Sequence, residues 1–279
     1  MNIYVVIPAH NEEAYLEKTL NSLVNQSLRP ARIVVVNDNS TDGTQAIIDL
    51  YSSKYSFIEG VSNVSSEVHA PGSKVINAFY KGYDALDSHY DVICKFDADL
   101  IFPTNYLETV AEVFKSSEQL GIAGGFCYIE KKGEWELEDL TGKDHIRGAL
   151  KSYRKSCLHD IGGLKKAMGW DTLDELLAQY HGWELRTLPS LKVKHLKPTA
   201  TAYAKESGFL QGAAFKRMRY GFLLTMIAAM KLAWKKKSVT YFLKCIQGFL
   251  SEKQNYLVSP SEGKFIRKLR WRNIGKKLF

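Results

Sequence analysis

Short apolar runs alternate with amphipathic stretches along the first third of the chain. The apolar runs predict strands at 3–7, 32–36 and 91–96, and the amphipathic stretches predict helices at about 12–25, 42–53 and 73–87. This β-α-β-α-β order predicts an α/β fold with a mostly parallel sheet flanked by helices. Open sheets of this kind bind ligands beyond the carboxyl ends of their strands.

The pattern continues less regularly toward the middle of the chain. It predicts a helix at about 104–117, a strand at 121–129, a helix at 172–181 and a strand at 183–188. The segment 130–150 is charged and mixed in character, and its pattern favours neither a strand nor a helix.

After Ser207 the chain changes character, because long apolar stretches at 209–234 and 239–250 are interrupted by basic residues. The uncharged run from Tyr220 to Met230 is shorter than the roughly 20 residues of a transmembrane helix. Lys235–Lys237 are instead typical of the headgroup side of an interfacial helix pair. We therefore expect two parts, an α/β domain at 1–205 and a basic amphipathic helical extension at 206–279.

Charge is distributed unevenly between these two parts. The chain of 279 residues has a formal net charge of +8, yet residues 206–279 hold 16 lysines and arginines against three acidic residues. Basic residues interleaved with apolar helices favour an anionic membrane surface as the partner, and no nucleic acid is expected. The alternative is that these helices pack on the α/β domain and that the lysines form a solvated face.

The compartment is predicted from the beginning of the chain and from its cysteines. The first apolar stretch lacks a basic leader and breaks after Ile7, so it predicts a strand and a cytoplasmic protein. A peripheral position on the cytoplasmic face of the membrane is compatible with this prediction. The four cysteines are scattered without Cys-x-x-Cys spacing, which argues against a disulfide framework and a zinc site.

Acidic loops follow all three of the first predicted strands. The clearest case is Asp97-Ala98-Asp99, because side chains two residues apart leave an extended chain on the same side. Two such carboxylates can hold one Mn²⁺ or Mg²⁺ together with substrate phosphates. An ordinary solvated turn is the competing interpretation of this motif taken alone.

Four ordered motifs give the chain a resemblance to the family 2 glycosyltransferases, which have a GT-A fold. They are Pro8-Ala-His-Asn-Glu12, Asn37-Asp-Asn-Ser-Thr-Asp42, the Asp97/Asp99 pair, and an acidic segment near Asp171. The resemblance covers roughly residues 1–200. It implies transfer of a sugar from a nucleotide diphosphate donor, with a UDP-sugar expected, to an acceptor hydroxyl with inversion at the anomeric carbon.

The resemblance implies contacts to the donor at several positions. It places the nucleoside against Pro8, Ala9 and the Glu12 carboxylate, and it implies that Asp38 accepts a hydrogen bond from the base. Asn37 stands where the family usually has an aspartate. Asp99 is then the direct metal ligand, and Asp97 faces the ribose or a metal-bound water.

Two further positions are candidates on the donor side. Lys74 lies on a glycine-containing turn that opens a helix, a natural anion site, although a solvated surface lysine has the same pattern. His195 follows a predicted strand and could complete the metal shell, although a lone histidine is more often structural.

The catalytic base is predicted from spacing within the same resemblance. The family often has Glu-Asp about eleven residues before a Gly-aromatic pair, and counting back from Gly182-Trp183 reaches Asp171. Trp170 stands where the family usually has the glutamate, so Asp174 is the second candidate, and Glu175 is a candidate for supporting the base. A helix-capping role for Asp171 is compatible with both. The resemblance also implies that 148–164 forms the acceptor-side helix, ending in Gly162-Gly163.

The loop after the first strand also argues against two competing enzyme classes. A sugar nucleotidyltransferase or a dinucleotide oxidoreductase would need a glycine-rich phosphate loop, which Pro8-Ala-His-Asn-Glu12 does not contain. The remaining alternative is a non-catalytic membrane- or nucleic-acid-binding protein with a degenerate nucleotide-binding domain. The acceptor is expected to be a saccharide or a lipid-linked glycan, in the synthesis of a cell-surface polysaccharide or glycolipid.

Overall fold

The computed structural model describes residues 1–64, 72–138, 142–197, 207–253 and 255–278. Within these residues the strands are β1 (Ile3–Ala9), β2 (Arg32–Asp38), β3 (Ile58–Asn63), β4 (Val92–Phe96), β5 (Leu100–Ile101), β6 (Leu120–Lys131), β7 (Glu134–Leu137), β8 (Leu150–Arg154) and β9 (Glu184–His195). The helices are α1 (Leu16–Val24), α2 (Thr44–Lys54), α3 (Ser73–Tyr83), α4 (Tyr106–Ser116), α5 (Lys155–Asp160), α6 (Trp170–Tyr180), α7 (Ser207–Arg217), α8 (Phe222–Lys235), α9 (Val239–Ser251) and α10 (Pro260–Leu278).

One mixed sheet organises the α/β part. The strand order is β3-β2-β1-β4-β8-β6-β9-β5, and β7 pairs with β6. The half from β3 to β4 is parallel, whereas β8 is antiparallel to both β4 and β6. The parallel half brings the carboxyl ends of β1, β2 and β4 to one edge, as the sequence predicts.

The central strands are apolar along almost their whole length because helices cover both faces of the sheet. In β1 and β2 all but one residue of each strand is buried. Helix α1 buries Leu16, Leu20 and Leu23, which recur at the spacing of one helical face. The sheet is therefore a rigid platform for the loops at its edge.

The predicted elements are found with one exception. The segment 148–164 is not one helix, because it contains the strand β8 and only a short helix, α5. The resemblance implied a helix here, but β4 has an edge whose backbone groups need partners, and β8 supplies them from Arg154 to Leu150. Gly162 and Gly163 do form the predicted turn, each with positive φ.

The C-terminal helices pack on the α/β part. The rings of Tyr180 and Phe265 lie 5.5 Å apart, so that α6 and α10 are in contact. Helices α7 and α9 cross very closely, since a Cβ at Gly212 would meet the Cys245 carbonyl oxygen at 1.8 Å. The predicted boundary at 205/206 lies outside the described residues. Among the described helices, none has both the length and the apolar character to cross a membrane.

Candidate active site

Glu12 and Asp38 lie at the edge of the parallel half of the sheet. Asp38 ends β2, and its Oδ1 accepts a hydrogen bond from Asn63 Nδ2 at 2.7 Å. His10 Nδ1 donates to the Asp38 carbonyl oxygen at 2.6 Å and so ties the loop after β1 to the end of β2. Glu12 Oε1 accepts from Lys197 Nζ at 3.0 Å. Burial raises the pKa of Glu12, against the opposing effect of Lys197.

Asp99 and His195 approach each other next to this edge. His195 Nε2 lies 3.4 Å from Asp99 Oδ2, and both side chains are buried. Within the described part of the chain, the buried oxygens Asp99 Oδ1 and Glu12 Oε2 have no hydrogen-bond partner. An unsatisfied buried carboxylate oxygen is costly unless a donor or a cation completes it. Carboxylate oxygens beside an imidazole nitrogen fit Mn²⁺ or Mg²⁺.

Glu138 orients His195 from the other side of the ring. His195 Nδ1 donates to Glu138 Oε2 at 2.8 Å, and Arg147 Nη1 donates to the same oxygen at 2.8 Å. Burial opposes a charged imidazole, but the contacts with Asp99 and Glu138 outweigh it and raise the pKa of His195 to about 9. With Nδ1 held by Glu138, Nε2 is the nitrogen that can bind a cation after losing its proton.

Asp97 is connected to the loop at 148–149 through a buried lysine. Lys95 Nζ donates to Asp97 Oδ1 and also, at 3.1 Å, to the carbonyl oxygen of Gly148. The Asp97 backbone N–H donates to the Ala149 carbonyl oxygen at 2.8 Å. The loop at 148–149 is thereby fixed against the end of β4.

Asp171 stands in the first turn of α6 and contacts the same loop. A Cβ at Gly148 would lie only 3.0 Å from Asp171 Cβ, so a larger residue there would displace the aspartate. His145 Nε2 lies 3.5 Å from Asp171 Oδ2. Burial favours the neutral acid, yet His145 and Lys151 outweigh it and lower the pKa of Asp171 to about 2. A third of the Asp171 side chain is exposed, so an acceptor hydroxyl could reach this carboxylate.

Asp174 lies one turn further along α6 and points into the protein. It accepts hydrogen bonds from Lys151 Nζ at 2.7 Å and from the Tyr153 hydroxyl at 2.5 Å, and its side chain is 1% exposed. Burial raises the pKa of Asp174 to about 7 in spite of Lys151. This geometry suits an internal ion pair better than a base that must contact an acceptor.

Glu175 connects Lys151 to His145. It lies 3.1 Å from Lys151 Nζ, accepts from the Ile146 backbone N–H at 2.9 Å, and lies 3.0 Å from His145 Nδ1. Burial opposes its charge, but Lys151 and His145 lower the pKa of Glu175. Glu175 therefore supports the histidine that contacts Asp171.

The remaining candidates lie at the ends of elements. Pro8 and Ala9 end β1, where Ala9 pairs with Asn37 of β2. Lys74 is half-buried in the first turn of α3, which follows Gly72 with a φ of +78°. Ser73 Oγ donates to the Lys166 carbonyl oxygen at 2.9 Å and so brings this helix start beside the chain that leads to Asp171. Residues 65–71, which include the first part of the predicted turn, lie outside the described residues.

Sequence reasoning missed the residues that hold the candidates in place. Glu138, His145 and Arg147 all belong to the charged segment 130–150, which had no clear pattern, and Lys95 and Lys151 belong to buried strands. A signal was available in the second case, since a lysine inside an apolar strand predicts a buried ionic partner.

The sequence matches known glycosyltransferases. The family described as glycosyl transferase family 2 matches residues 4–163. The chain is 39% identical over 218 residues to the probable glycosyltransferase YdaM of Bacillus subtilis, covering 67% of this chain and 49% of that protein. It is 27% identical over 139 residues to a Campylobacter jejuni enzyme, GalNAc(5)-diNAcBac-PP-undecaprenol beta-1,3-glucosyltransferase, covering 50% of this chain and 42% of that one. The chain spans about half the length of these relatives.

Solved structures of similar fold are also glycosyltransferases. S. aureus TarS 1-349 in complex with UDP-GlcNAc aligns with a TM-score of 0.59 at 16% identity, over 98% of this chain and 79% of that one. The mannosyltransferase PcManGT from Pyrobaculum calidifontis, in complex with GDP-Man and Mn²⁺, aligns with a TM-score of 0.57 at 14% identity, over 99% and 86%. Such low identity establishes the fold alone, whereas the family match covers more than half of the chain. The chain therefore belongs to glycosyl transferase family 2 and has the GT-A fold.

Proposed function

We propose that this protein transfers a hexose-type sugar from a UDP-sugar to an acceptor hydroxyl, with inversion at the anomeric carbon. The proposal rests on one observation: the loop at 148–149 connects Asp97, at the end of β4, with Asp171, at the start of α6. Lys95 ties Asp97 to Gly148, and Gly148 lies against Trp170, the first residue of α6, and against Asp171 itself. A donor at Asp97 and Asp99 and an acceptor at Asp171 would therefore meet across one short loop.

On the donor side, Glu12 and Asp38 would hold the nucleoside, with Pro8 and Ala9 forming the floor beside it. Asp38 is fixed by Asn63, so its carboxylate is already oriented before the base arrives. Lys74 would reach the donor from the start of α3. Such pre-orientation lowers the entropy cost of binding.

Asp99 and His195 would hold Mn²⁺ or Mg²⁺, and Asp97 would face the ribose or a metal-bound water. When bound, the ion neutralises the negative charge that develops on the departing diphosphate. The chain supplies the unsatisfied oxygen Asp99 Oδ1 and the nitrogen Nε2 of His195 for this purpose.

On the acceptor side, Asp171 would take the proton of the attacking hydroxyl. Asp171 is ionised at neutral pH, which is the form that a general base needs, although a carboxylate with a pKa of about 2 is a weak base. The acceptor oxygen forms the new bond to the anomeric carbon, the bond to the diphosphate oxygen breaks, and the proton ends on Asp171. Asp174 and Glu175 act behind it, by holding Lys151 and His145.

The proposed acceptor is a lipid-linked glycan or another saccharide of the cell surface. The Campylobacter relative supports this class, since its name contains an undecaprenol-linked glycan. The proposed place of transfer is the cytoplasmic face of a membrane, with the body at 1–205 as the catalytic domain and 206–279 as its basic extension. The non-catalytic alternative is not favoured, because the curated relatives are glycosyltransferases.

Donor hydrolysis tests the proposal directly. A panel of UDP-, GDP- and dTDP-sugars is incubated with the protein, with Mn²⁺ or with EDTA, and the released nucleotide is measured. We expect release from a UDP-sugar with Mn²⁺, and loss of release with EDTA or in Asp99→Asn. Undiminished release in EDTA would contradict the metal site, and preference for a GDP- or dTDP-sugar would contradict the proposed donor.

A further inference from the structure

Helices α8 and α9 form a hairpin at the C-terminal side of the protein. The turn between them consists of Lys236, Lys237 and Ser238, and Ser238 Oγ caps α9 by accepting from the Tyr241 N–H at 3.2 Å. The Ser238 N–H donates to the Ala233 carbonyl oxygen at 3.0 Å. The hairpin tip is therefore an ordered structure with a defined capping pattern.

Helix α8 has an apolar stripe on its outer face. Leu223, Ile227, Met230 and Trp234 follow one another at intervals of three or four residues, which places them on one side of the helix. Three of the four are exposed, and Trp234 at the tip is 87% exposed. The inner face of α8 is buried and consists of Leu224, Thr225, Ala229 and Ala233.

Helix α9 carries a second exposed apolar stripe. Val239, Leu243 and Leu250 are exposed, and Ile246 lies half-buried between them at the same helical spacing. The opposite face of α9 is buried through Tyr241, Cys245, Gly248 and Phe249. The two stripes carry large apolar side chains on both helices of the hairpin, far more than the scattered exposure of a monomer surface.

Basic residues border the apolar stripes. Lys231 and Lys235–Lys237 are exposed at the tip, next to Trp234. The whole segment 206–279 carries 16 lysines and arginines against three acidic residues. An apolar protein partner would match the stripes but gain nothing from this charge, whereas an anionic bilayer matches both. Tryptophan and lysine side chains also suit the boundary between headgroups and acyl chains.

We propose that the α8–α9 hairpin docks on an anionic lipid bilayer, with Trp234 and Lys235–Lys237 entering the headgroup layer first. This inference rests on the proposed function, because it names the residues that bring the enzyme to a lipid-linked acceptor. Vesicle binding is measured without donor, and donor hydrolysis is measured without vesicles. A protein that hydrolyses donor but does not bind vesicles would contradict only the docking surface, and one that binds vesicles but does not hydrolyse donor would contradict only the proposed function.

Flotation of the full chain with liposomes tests the docking surface. The vesicles consist of phosphatidylcholine alone or of phosphatidylcholine with phosphatidylglycerol. We expect flotation with the anionic vesicles at low salt, partial release as salt rises, and little binding to phosphatidylcholine alone. Absence of flotation at low salt, or equal binding to both vesicle types, would overturn the proposal.

Point variants locate the contact. Trp234→Ser should weaken binding to anionic vesicles by about tenfold or more, because it removes a large apolar side chain from the lipid boundary. The matched control is Trp271→Ser, which changes an exposed tryptophan of α10 that is outside the hairpin. Both variants should keep the melting temperature and the donor hydrolysis of the parent. Equal loss in both variants, or no loss in either, would contradict the proposed contact.

Charge variants separate the electrostatic contribution. Lys236→Gln with Lys237→Gln should lower vesicle binding and reduce its salt dependence. The control, Lys18→Gln with Lys115→Gln, removes the same charge from exposed positions of α1 and α4. If the two pairs behave alike, only net charge matters and the hairpin is not the docking site. Concentration-dependent dimerisation that Trp234→Ser abolishes, without vesicle binding, would assign the surface to a second copy of the chain instead.

Discussion

Lys95 and Lys151 lie directly opposite each other in the antiparallel ladder of β4 and β8, and both side chains are buried. Like charges at facing positions are unfavourable unless other groups neutralise them. Here Lys95 pairs with Asp97, and Lys151 pairs with Asp174 and Glu175. The Trp170 ring lies 5.4 Å from Lys95 Nζ and 5.9 Å from Lys151 Nζ. The Trp170 ring is thus close to both buried cations.

The lysine pair predicts a large effect on stability. Lys151→Met would leave Asp174 and Glu175 buried without their shared cation, and we expect the free energy of unfolding to fall by about 3–5 kcal/mol. Urea denaturation measures this loss. Lys131→Met is the matched control, because Lys131 pairs with Glu136 at 3.3 Å on the surface, where such a pair contributes less than about 1 kcal/mol. If both variants lost the same free energy of unfolding, the burial of Lys151 and its acidic partners would not explain the loss.

The contact between Glu138 and His195 predicts an effect on metal affinity. Glu138→Gln removes the carboxylate that fixes the ring, and we expect Mn²⁺ affinity to fall by about 10–100-fold. Electron paramagnetic resonance of free Mn²⁺ measures the affinity without any turnover. Glu136→Gln, two residues earlier on β7, changes an exposed glutamate and should leave the affinity unchanged. Unaltered Mn²⁺ binding by Glu138→Gln would refute the orienting role.

The two aspartates of α6 predict different losses. Asp171→Asn should slow transfer by about 10²–10⁴-fold, the usual loss when a general base is removed, with donor affinity nearly unchanged. Asp174→Asn should mainly lower the melting temperature, because its carboxylate is bound to Lys151 and Tyr153. Single-turnover rates and thermal melts of both variants separate these effects. A folded but inactive Asp174→Asn beside an active Asp171→Asn would make Asp174 the base.

His145 predicts a pH dependence of stability. Burial opposes its charge, but Asp171 and Glu175 outweigh burial and the nearby Lys151, and they raise the pKa of His145 from 6.5 to about 9. Because the pKa is higher in the folded protein than in the unfolded chain, protonated His145 stabilises the fold. This contribution is complete below pH 6.5 and is lost as the pH rises through 9. Its size is about 3 kcal/mol, since one pKa unit corresponds to about 1.4 kcal/mol.

The measurement compares wild type with His145→Gln. We expect wild type to be more stable at pH 6 and the difference to disappear by about pH 10. His159→Gln, which changes an exposed histidine of α5, controls for loss of an imidazole as such. Parallel stability curves for wild type and His145→Gln over this range would contradict the assigned contacts.

The sequence by itself determined the parallel half of the sheet and the position of its acidic loops. Strands β1, β2 and β4 are mostly apolar runs, and an acidic residue stands at or just after the end of each one in the chain. Such signals are local, because the burial of a strand on both faces requires apolar residues at consecutive positions. The placement of Asp38 and Asp99 at one edge then follows from parallel pairing.

Only the tertiary structure decided how the segment 130–164 contributes. The sequence showed no clear pattern at 130–150 and the resemblance implied a helix at 148–164, but pairing with β4 makes Leu150–Arg154 a strand. The same pairing brings Lys151 to α6, and the preceding loop brings His145 to Asp171 and Glu138 to His195. These partners lie 20 to 57 positions apart in the chain. Contacts at such separations depend on which strand pairs with which, and neither hydrophobic periodicity nor motif spacing encodes that choice.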